Sequence, residues 1–215
     1  MTSVDKNKHD TISLRQFVSK LPAFLSGTPN RIKGMYVANR KAGDYPAGLG
    51  VCLERASRVN PDGTAVVFEQ REYSYRDFNQ WVNRIAHTLL ESNVGKGDVV
   101  AIFIDNRPEL LACIAAASKI GAVSALINTS QRGEVLRHSI SLVEAKAIIV
   151  GQELHGALSE VSDCLPEDPE KRFFLEDADT FSSDASPGLV PEGWLDLAAR
   201  QRANKSDNPV STLQN

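Results

Sequence analysis

Residues 99–150 decide the fold class: VVAIFIDNRPELLACIAAASKIGAVSALINTSQRGEVLRHSISLVEAKAIIV. Short apolar runs alternate in this stretch with longer segments that have a helical period. Strands are predicted at Val99–Ile104, Ala122–Ile127 and Lys146–Val150, and helices at Pro108–Ile120 and Glu134–Val143. Alternation of this kind is typical of a parallel sheet that is covered by helices. The sequence therefore predicts an α/β fold with a parallel sheet flanked by helices.

The flanking sequence extends this pattern in both directions. Toward the carboxyl terminus, we expect a helix over residues 154–165, a fourth strand at Arg172–Leu175 and one short helix over residues 193–202. Toward the amino terminus, residues 49–58 form a predicted helix, and residues 64–74 form a predicted hairpin that turns over the charged residues after Phe68. We expect all these elements to belong to the same domain as the parallel sheet.

A long amphipathic helix follows the hairpin. Ser74 and Asp77 have the spacing of a capping box, with Asp77 in place of the usual Glu, and the helix ends near Asn93. Its predicted apolar face comprises Phe78, Trp81, Val82, Ile85, Ala86, Leu89 and Leu90. In the later helix 134–143, the residues predicted to face inward are Val135, Leu136, Ile140 and Val143.

The first 45 residues are an amphipathic, basic leader and connector. Residues 1–41 hold eight Lys and Arg against two Asp, so this segment carries +6 within a chain of net charge −3. The apolar face of the leader comprises Leu14, Phe17, Val18, Leu21, Phe24 and Leu25. Two interpretations stay open: residues 11–41 bind an anionic membrane surface, or the apolar face packs on the core of a larger enzyme.

The end of the chain is polar. Residues 176–192 are acidic and rich in Ser, Gly and Pro, and residues 206–215 contain no closing element. The predicted organisation is therefore a leader over 1–45, an α/β part over 46–175, and an acidic loop with a polar, truncated tail over 176–215. Because the sheet is expected to be incomplete, we also expect an open sheet edge and self-association of the chain.

Composition excludes several classes of protein. The net charge of −3 and the absence of a basic–aromatic stripe argue against a nucleic-acid partner. Three widely spaced cysteines fit a reducing cytosol and form no zinc spacing, and Cys113 is expected to be buried and inert. The longest apolar run, Leu110–Ala117, is too short to span a bilayer. The expected location is cytoplasmic, with peripheral attachment to the cytoplasmic membrane if the leader binds lipid.

Candidate site residues follow the predicted strands, because parallel sheets bind ligands at the carboxyl ends of their strands. Asn128 and Arg132 lie in a polar loop before a helix, where they could hold a phosphate or a carboxylate, although helix capping with an exposed Arg132 is the more common use. Asp105 or Asn106 is expected to cap the next helix, and Arg107 is expected to be solvated. His138 is expected to be a surface histidine, since the sequence supplies no partner to orient it.

The sequence contains none of the common catalytic signatures. Neither GxGxxG nor GxxxxGK[ST] is present, so no nucleotide-binding loop of those types is expected. GxSxG and HExxH are also absent, and the four histidines are scattered. We therefore assign no catalytic residue and no metal site to this chain.

Several segments together resemble one enzyme family. They are YSYRDFN at 73–79, VGKGDVVAI at 94–102, NRPEL at 106–110 and SKIGAV at 118–123. In this order and spacing they resemble the start of the adenylate-forming, or AMP-binding, enzymes. The segment LINTSQRG at 126–133, followed by LRHS at 136–139, is similar to the fatty acid transport protein and very-long-chain acyl-CoA synthetase branch. The resemblance weakens after about residue 165.

The resemblance implies a reaction and its cofactors. Members of this family join a fatty acid to CoA with ATP and Mg²⁺ through an acyl-adenylate, and they hold the phosphates of ATP on a Ser/Thr/Gly-rich loop. This sequence contains no such loop, so we expect an amino-terminal part of a ligase that is inactive by itself and binds none of these cofactors tightly. The alternative is a naturally truncated, non-catalytic module that binds a partner or a membrane.

Overall fold

The computed structural model describes residues 48–176 and 189–209. These residues belong to the compact unit Ala47–Asn215. The predicted leader, residues 1–45, lies outside the described residues, as do most of the acidic loop and the last residues of the tail. No helix in the described ranges is both long enough and apolar enough to cross a membrane.

The described chain begins with a helix and a hairpin, and a long helix follows directly after the hairpin. Helix α1 spans Leu49–Val59, and strands β1 (Thr64–Phe68) and β2 (Arg71–Ser74) pair antiparallel. Helix α2 spans Tyr75–Glu91, so the prediction of a helix from Ser74 toward Asn93 is confirmed. The Ser74 hydroxyl accepts from the Asp77 N–H at 3.1 Å and donates to the Asp77 carboxylate at 2.7 Å, which satisfies one of the unpaired N–H groups at the helix start.

The main sheet is parallel and has five strands. Its strands are β3 (Val99–Phe103), β4 (Val123–Leu126), β5 (Ala147–Gly151), β6 (Arg172–Leu175) and β7 (Leu195–Asp196). They lie in the order β4-β3-β5-β6-β7, and every pairing is parallel. The connecting helices are α3 (Pro108–Lys119), α4 (Gly133–Val143) and α5 (Gln152–His155). The predicted α/β fold with a parallel sheet flanked by helices is confirmed.

The two faces of the sheet bury separate apolar clusters. Val100, Ile102 and Ile149 pack with α1, α2 and α3 and with α6, which spans Leu197–Ala203. Ala101, Phe103 and the other alternating residues pack with α4, α5 and the following 3-10 segment. Because successive side chains of a strand point to opposite faces, an uninterrupted apolar run is required wherever both faces are covered.

The apolar positions of α2 and α4 are buried to different extents. Six of the seven predicted face residues of α2 are buried, whereas Leu90 is 38% exposed. On α4, Leu136 and Ile140 are buried as predicted, but the prediction for Val135 is wrong because this residue is 60% exposed. Val135 lies about 100° around the helix from Leu136, outside the stripe that contacts the sheet.

Two predictions beyond β5 are corrected by the structure. Residues 154–165 do not form one α-helix: α5 ends at His155, and a 3-10 segment, Gly156–Cys164, follows with a kink at Val161. The Ser159 hydroxyl donates to the Gly156 carbonyl there. A side-chain bond of this kind competes with the backbone hydrogen bonds of an α-helix. Residues 193–202 also differ, because Leu195–Asp196 is a fifth strand and the helix begins only at Leu197, capped by Asp196.

Helix α6 closes one layer by contact with a much earlier helix. The indole N–H of Trp81 on α2 donates to the Gln201 side-chain oxygen at 2.7 Å, and both residues are fully buried. Trp81 also stacks on Tyr73 and meets Phe78 edge to face. A buried indole is usually paired in this way, because an unpaired N–H away from water is costly.

Candidate functional site

A cleft lies at the carboxyl ends of β3 and β4, the edge where ligands bind in parallel sheets. Its volume is about 460 Å³. The apolar lining residues are Ile102, Ile104, Leu110, Leu126 and Ile127, and the polar ones are Asp105, Asn106, Asn128 and Thr129. The structure therefore brings Asn128 together with the loop after β3, as expected for two neighbouring strand ends. Arg132, the other candidate, is not among the lining residues.

Asn128 and Arg132 both shape the loop before α4. The Asn128 side-chain oxygen accepts from the Ser130 N–H at 2.9 Å, which forms an Asx turn. The Arg132 guanidinium donates to the Thr129 carbonyl at 2.7 Å and to the Gln131 carbonyl at 2.6 Å. Arg132 is exposed and occupies the N-cap position of α4 without a side-chain cap bond. These contacts give each residue a structural role, and the binding role assigned from the sequence stays a prediction.

The side chain of Arg107 is mostly buried, contrary to the prediction from the sequence. We expected a solvated side chain, but only 10% of it is exposed. Its guanidinium donates to the Glu176 carbonyl at 2.8 Å and the Leu175 carbonyl at 3.5 Å, at the end of β6. Arg107 is also the N-cap residue of α3, so the expected cap by Asp105 or Asn106 is wrong. The Arg107 side chain is mostly buried because β3, β5 and β6 are neighbouring strands, so the carbonyls at the end of β6 lie within reach of the loop after β3.

Glu153 completes a polar clamp across the strand ends. Its carboxylate accepts from the Asp105 N–H at 2.9 Å and pairs with Arg107 at 3.4 Å, while Glu109 lies 4.0 Å from the same guanidinium. A Cβ atom at Gly151 would lie 2.2 Å from a Glu153 carboxylate oxygen. Gly151 therefore leaves the space that lets Glu153 reach the loop after β3. We call Arg107, Glu109 and Glu153 the strand-end clamp.

The signal for this clamp was present in the sequence but could not be interpreted there. Arg107 lies three residues after Ile104, the end of a predicted buried strand, and directly before Pro108, so it is close to the sheet edge. Glu109 follows Pro108 near a helix start, where the local sequence indicates only a favourable charge. Glu153 lies 46 residues from Arg107, and only the strand order brings the two side chains together.

Three reactive side chains outside the cleft, Cys113, His138 and His155, lack surroundings that would activate them for catalysis. Cys113 is fully buried, as expected, and burial raises the pKa of its thiol, which favours the weakly nucleophilic thiol form. His138 is exposed on α4, as expected. Burial lowers the pKa of His155, which meets the rings of Phe174 and Trp194 edge to face, so this imidazole is held neutral.

The charges around the cleft fit some ligands better than others. The charged residue of its lining is Asp105, and the two nearby arginines already donate to backbone carbonyls. In residues 48–176 and 189–209, no group of three or more His, Cys, Asp or Glu side chains could hold a metal ion. The cleft therefore suits an apolar ligand that carries hydrogen-bond donors. It disfavours a polyphosphate, because a polyphosphate needs cations and backbone amides as partners.

Comparison with known proteins connects this fold to one group of enzymes. Residues 53–211 match the family model described as AMP-binding enzyme. The medium/long-chain-fatty-acid–CoA ligase FadD6 of Mycobacterium tuberculosis is 32% identical over 196 residues, which are 91% of this chain and 32% of that protein. The long-chain fatty acid transport protein 6 of Mus musculus is 32% identical over 155 residues, which are 72% of this chain and 23% of that protein.

Solved structures agree on the fold. A Mycobacterium tuberculosis fatty acyl CoA synthetase superposes with a TM-score of 0.60 at 25% identity, covering 75% of this chain and 29% of its own. The anthranilate CoA ligase AuaEII, in complex with anthranoyl-AMP, gives a TM-score of 0.65 at 21% identity and covers 78% of this chain and 30% of its own. The matched part of the chain spans between 23% and 32% of the length of these relatives.

Removal of the cation from the strand-end clamp should destabilise the fold strongly. Arg107→Met leaves two poorly exposed carboxylates without their cation, and we expect a loss of about 3–5 kcal/mol in the free energy of unfolding. The exposed Arg132 is the comparison, and Arg132→Met should cost only about 1 kcal/mol, because it removes solvent-exposed hydrogen bonds to two carbonyls and leaves no buried charge unpaired. Urea unfolding followed by circular dichroism measures both. Equal losses in the two variants would show that Arg107 is not a buried ion-pair partner.

Proposed function

This chain belongs to the AMP-binding enzyme family, and on that premise we propose that it is part of a fatty-acid–CoA ligase. The proposed reaction converts ATP, a long- or very-long-chain fatty acid and CoA into acyl-CoA, AMP and pyrophosphate through an acyl-adenylate. The observation that carries the proposal is the 32% identity to a fatty-acid–CoA ligase over 91% of this chain. The similarity to a long-chain fatty acid transport protein supports the same substrate class.

We infer that the described residues support the active site and do not perform the chemistry. Adenylation builds negative charge on a phosphate, so it requires cations and amides that are directed at that group. The described residues do not fit magnesium-bound ATP, because Arg107 and Arg132 are engaged with carbonyls and Asp105 places a negative charge at the cleft. The residues that hold ATP and Mg²⁺ in the proposed ligase therefore lie outside this described set. No tight binding of these cofactors by the 215-residue chain is expected.

An assay of acyl-CoA formation tests the ligase proposal. The product of the whole reading frame should form acyl-CoA from ATP, CoA and a long-chain fatty acid, whereas the 215-residue chain should form none. Product is measured by mass spectrometry, and omission of the fatty acid is the control. Acyl-CoA formation by the 215-residue chain would contradict the inference about its inactivity. Inactivity of the whole product toward fatty acids of all chain lengths would contradict the ligase proposal and favour the alternative of a non-catalytic module.

A second proposed property is attachment to an anionic membrane surface, which would place a cytoplasmic protein at the membrane periphery. The observation that favours it is the +6 charge of residues 1–41 beside an apolar face of six residues. Basic and apolar residues together bind anionic lipid because Coulomb attraction and burial of apolar surface act on the same segment.

Vesicle sedimentation with the 215-residue chain tests this attachment. The chain should sediment with vesicles that contain anionic lipid and much less with neutral vesicles, while residues 47–215 should remain in the supernatant with both. Replacement of Arg31, Lys33 and Lys41 by Gln should reduce the anionic preference, because each charge near the surface contributes about 1 kcal/mol. Equal sedimentation with both kinds of vesicle would exclude the electrostatic attraction.

We also propose that the chain self-associates through the edge strand β4. Among the described strands, β4 pairs with β3 alone, and Val123 and Leu126 are 53% and 58% exposed. An exposed apolar edge strand can add a further strand from another molecule, because its outward N–H and C=O groups have no partner in the sheet.

Charged substitution at the edge tests self-association. Val123→Lys should shift the sedimentation coefficient toward that of the monomer, because a lysine at an edge blocks strand addition. The control is Val135→Lys on α4, which replaces an equally exposed valine away from the edge and should leave the association unchanged. A wild-type chain that is monomeric at every concentration tested would refute the proposal.

A further inference from the structure

The chain after α6 is fastened to α2 by a row of polar contacts. We call residues Asn204–Asn208 the exit segment, since they lead the chain away from the last helix. On α2, Thr88 and Glu91 accept from the Asn204 side-chain amide at 3.1 Å and 2.9 Å, Asn83 donates to the Ser206 carbonyl at 2.7 Å, and His87 lies 3.0 Å from the Asp207 carbonyl. Contacts spaced along one helix fix both the position and the direction of the segment.

Lys119 lies at the end of this row and is buried. Its ammonium donates at 2.8 Å to the side-chain oxygens of Asn79 and Asn208, and Asn79 donates to Asn208 at 3.2 Å. Only 4% of Lys119 is exposed. A Cβ atom at Gly50 of α1 would lie 2.6 Å from Cγ of Lys119, so α1 packs directly on the stem of this side chain. Four parts of the chain, α1, α2, α3 and the exit segment, therefore meet at one lysine.

We propose that Lys119 is a positioning residue that fixes the course of the exit segment, and that it holds this segment more tightly once its ammonium has lost a proton. Its hydrogen-bond partners are neutral amides and not carboxylates, so docking of the segment moves a charge out of water without an opposite charge in direct contact. A neutral amine keeps two N–H groups, which suffice for the two amide oxygens. Protonation therefore favours the undocked segment.

The electrostatic surroundings support this direction. Burial lowers the pKa of Lys119 to about 8, while Glu54 on α1 raises it and Arg58 on α1 lowers it by smaller amounts. An undocked, solvated lysine has its ordinary pKa, so the docked segment is favoured increasingly as pH rises from about 8 toward about 10.5. The other charged or titratable groups at the exit segment are Lys205, which lies within it and is exposed, and Glu91, His87 and Asp207. The proposal is independent of the ligase activity.

Limited proteolysis measures the opening of the exit segment. Endoproteinase Lys-C cleaves after Lys205, which lies inside the segment, and cleavage requires local opening. Initial release of peptide 206–215 from the 215-residue chain is followed by mass spectrometry, and its rate is divided by the rate on an unstructured peptide with the same cleavage sequence at each pH. The normalised rate should fall roughly tenfold between about pH 7.5 and about pH 9.5.

Four variants test whether the protonation of Lys119 causes the fall in the normalised cleavage rate with pH. In Lys119→Met the normalised rate should be independent of pH, and Lys119→Arg, which keeps its charge, should also show no fall. Asn208→Asp supplies an opposite charge, so cleavage near pH 7.5 should be slower than in the wild type and the fall should shrink. His87→Gln, the control for the second titratable group, should keep the full fall.

The outcomes that overturn the proposal are distinct. A wild-type rate that does not change with pH refutes it, as does the same fall in wild type and Lys119→Met. Circular dichroism shows whether Lys119→Met and Lys119→Arg remain folded. If neither does, Asn208→Asp decides alone, and faster cleavage of that variant near pH 7.5 refutes the role of the buried ammonium.

Discussion

Burial of the central strands on both faces constrains every other part of this structure. Residues of β3 and β5 point alternately into two apolar clusters, so helices are required above and below the sheet. The backbone of a parallel strand is satisfied by its neighbours, but the chain must cross from one end of the sheet to the other after each strand. The loops at the carboxyl ends then lie side by side, and their polar groups must be satisfied within a small space.

The protein accommodates buried charge in two different ways. At the strand ends, Arg107 is surrounded by two carboxylates and two backbone carbonyls, so its charge is compensated directly. Behind the sheet, Lys119 contacts two amide oxygens and no charge is cancelled by direct contact. The first arrangement is suited to rigidity over a wide pH range. The second makes the conformation of the neighbouring segment depend on a proton.

Local sequence determined most of the fold, because its signals are short-range. The β-branched runs, the start of α3 at Pro108 and the period of α2 depend on neighbouring residues only, and the structure agrees with them. Strand β7 was missed because two residues are too few for any periodicity, although Asp196 as a helix cap was a usable signal. The error at Val135 arose because an apolar residue beside a buried stripe has the same sequence signature as one within it.

The candidate site was less accessible to such reasoning than the fold. Asn128 was located correctly at the cleft, since the end of a predicted strand identifies the edge of the sheet. Arg107 and Glu153 come together only through the order in which the strands pair, and strand order is not encoded in any local pattern. The polar tail illustrates the same limit: Ser206 and Asp207 contact residues of α2 that precede them by 123 and 120 positions.

That long separation has a consequence for synthesis on the ribosome. Trp81 is synthesised 120 residues before its partner Gln201, and Asn83 is synthesised 123 residues before Ser206. At about 5–20 residues per second, the nascent helix spends roughly 6–24 s with these groups unpaired. During that interval, water or a chaperone must serve as their partner, and the layer can close only when the last described residues leave the exit tunnel.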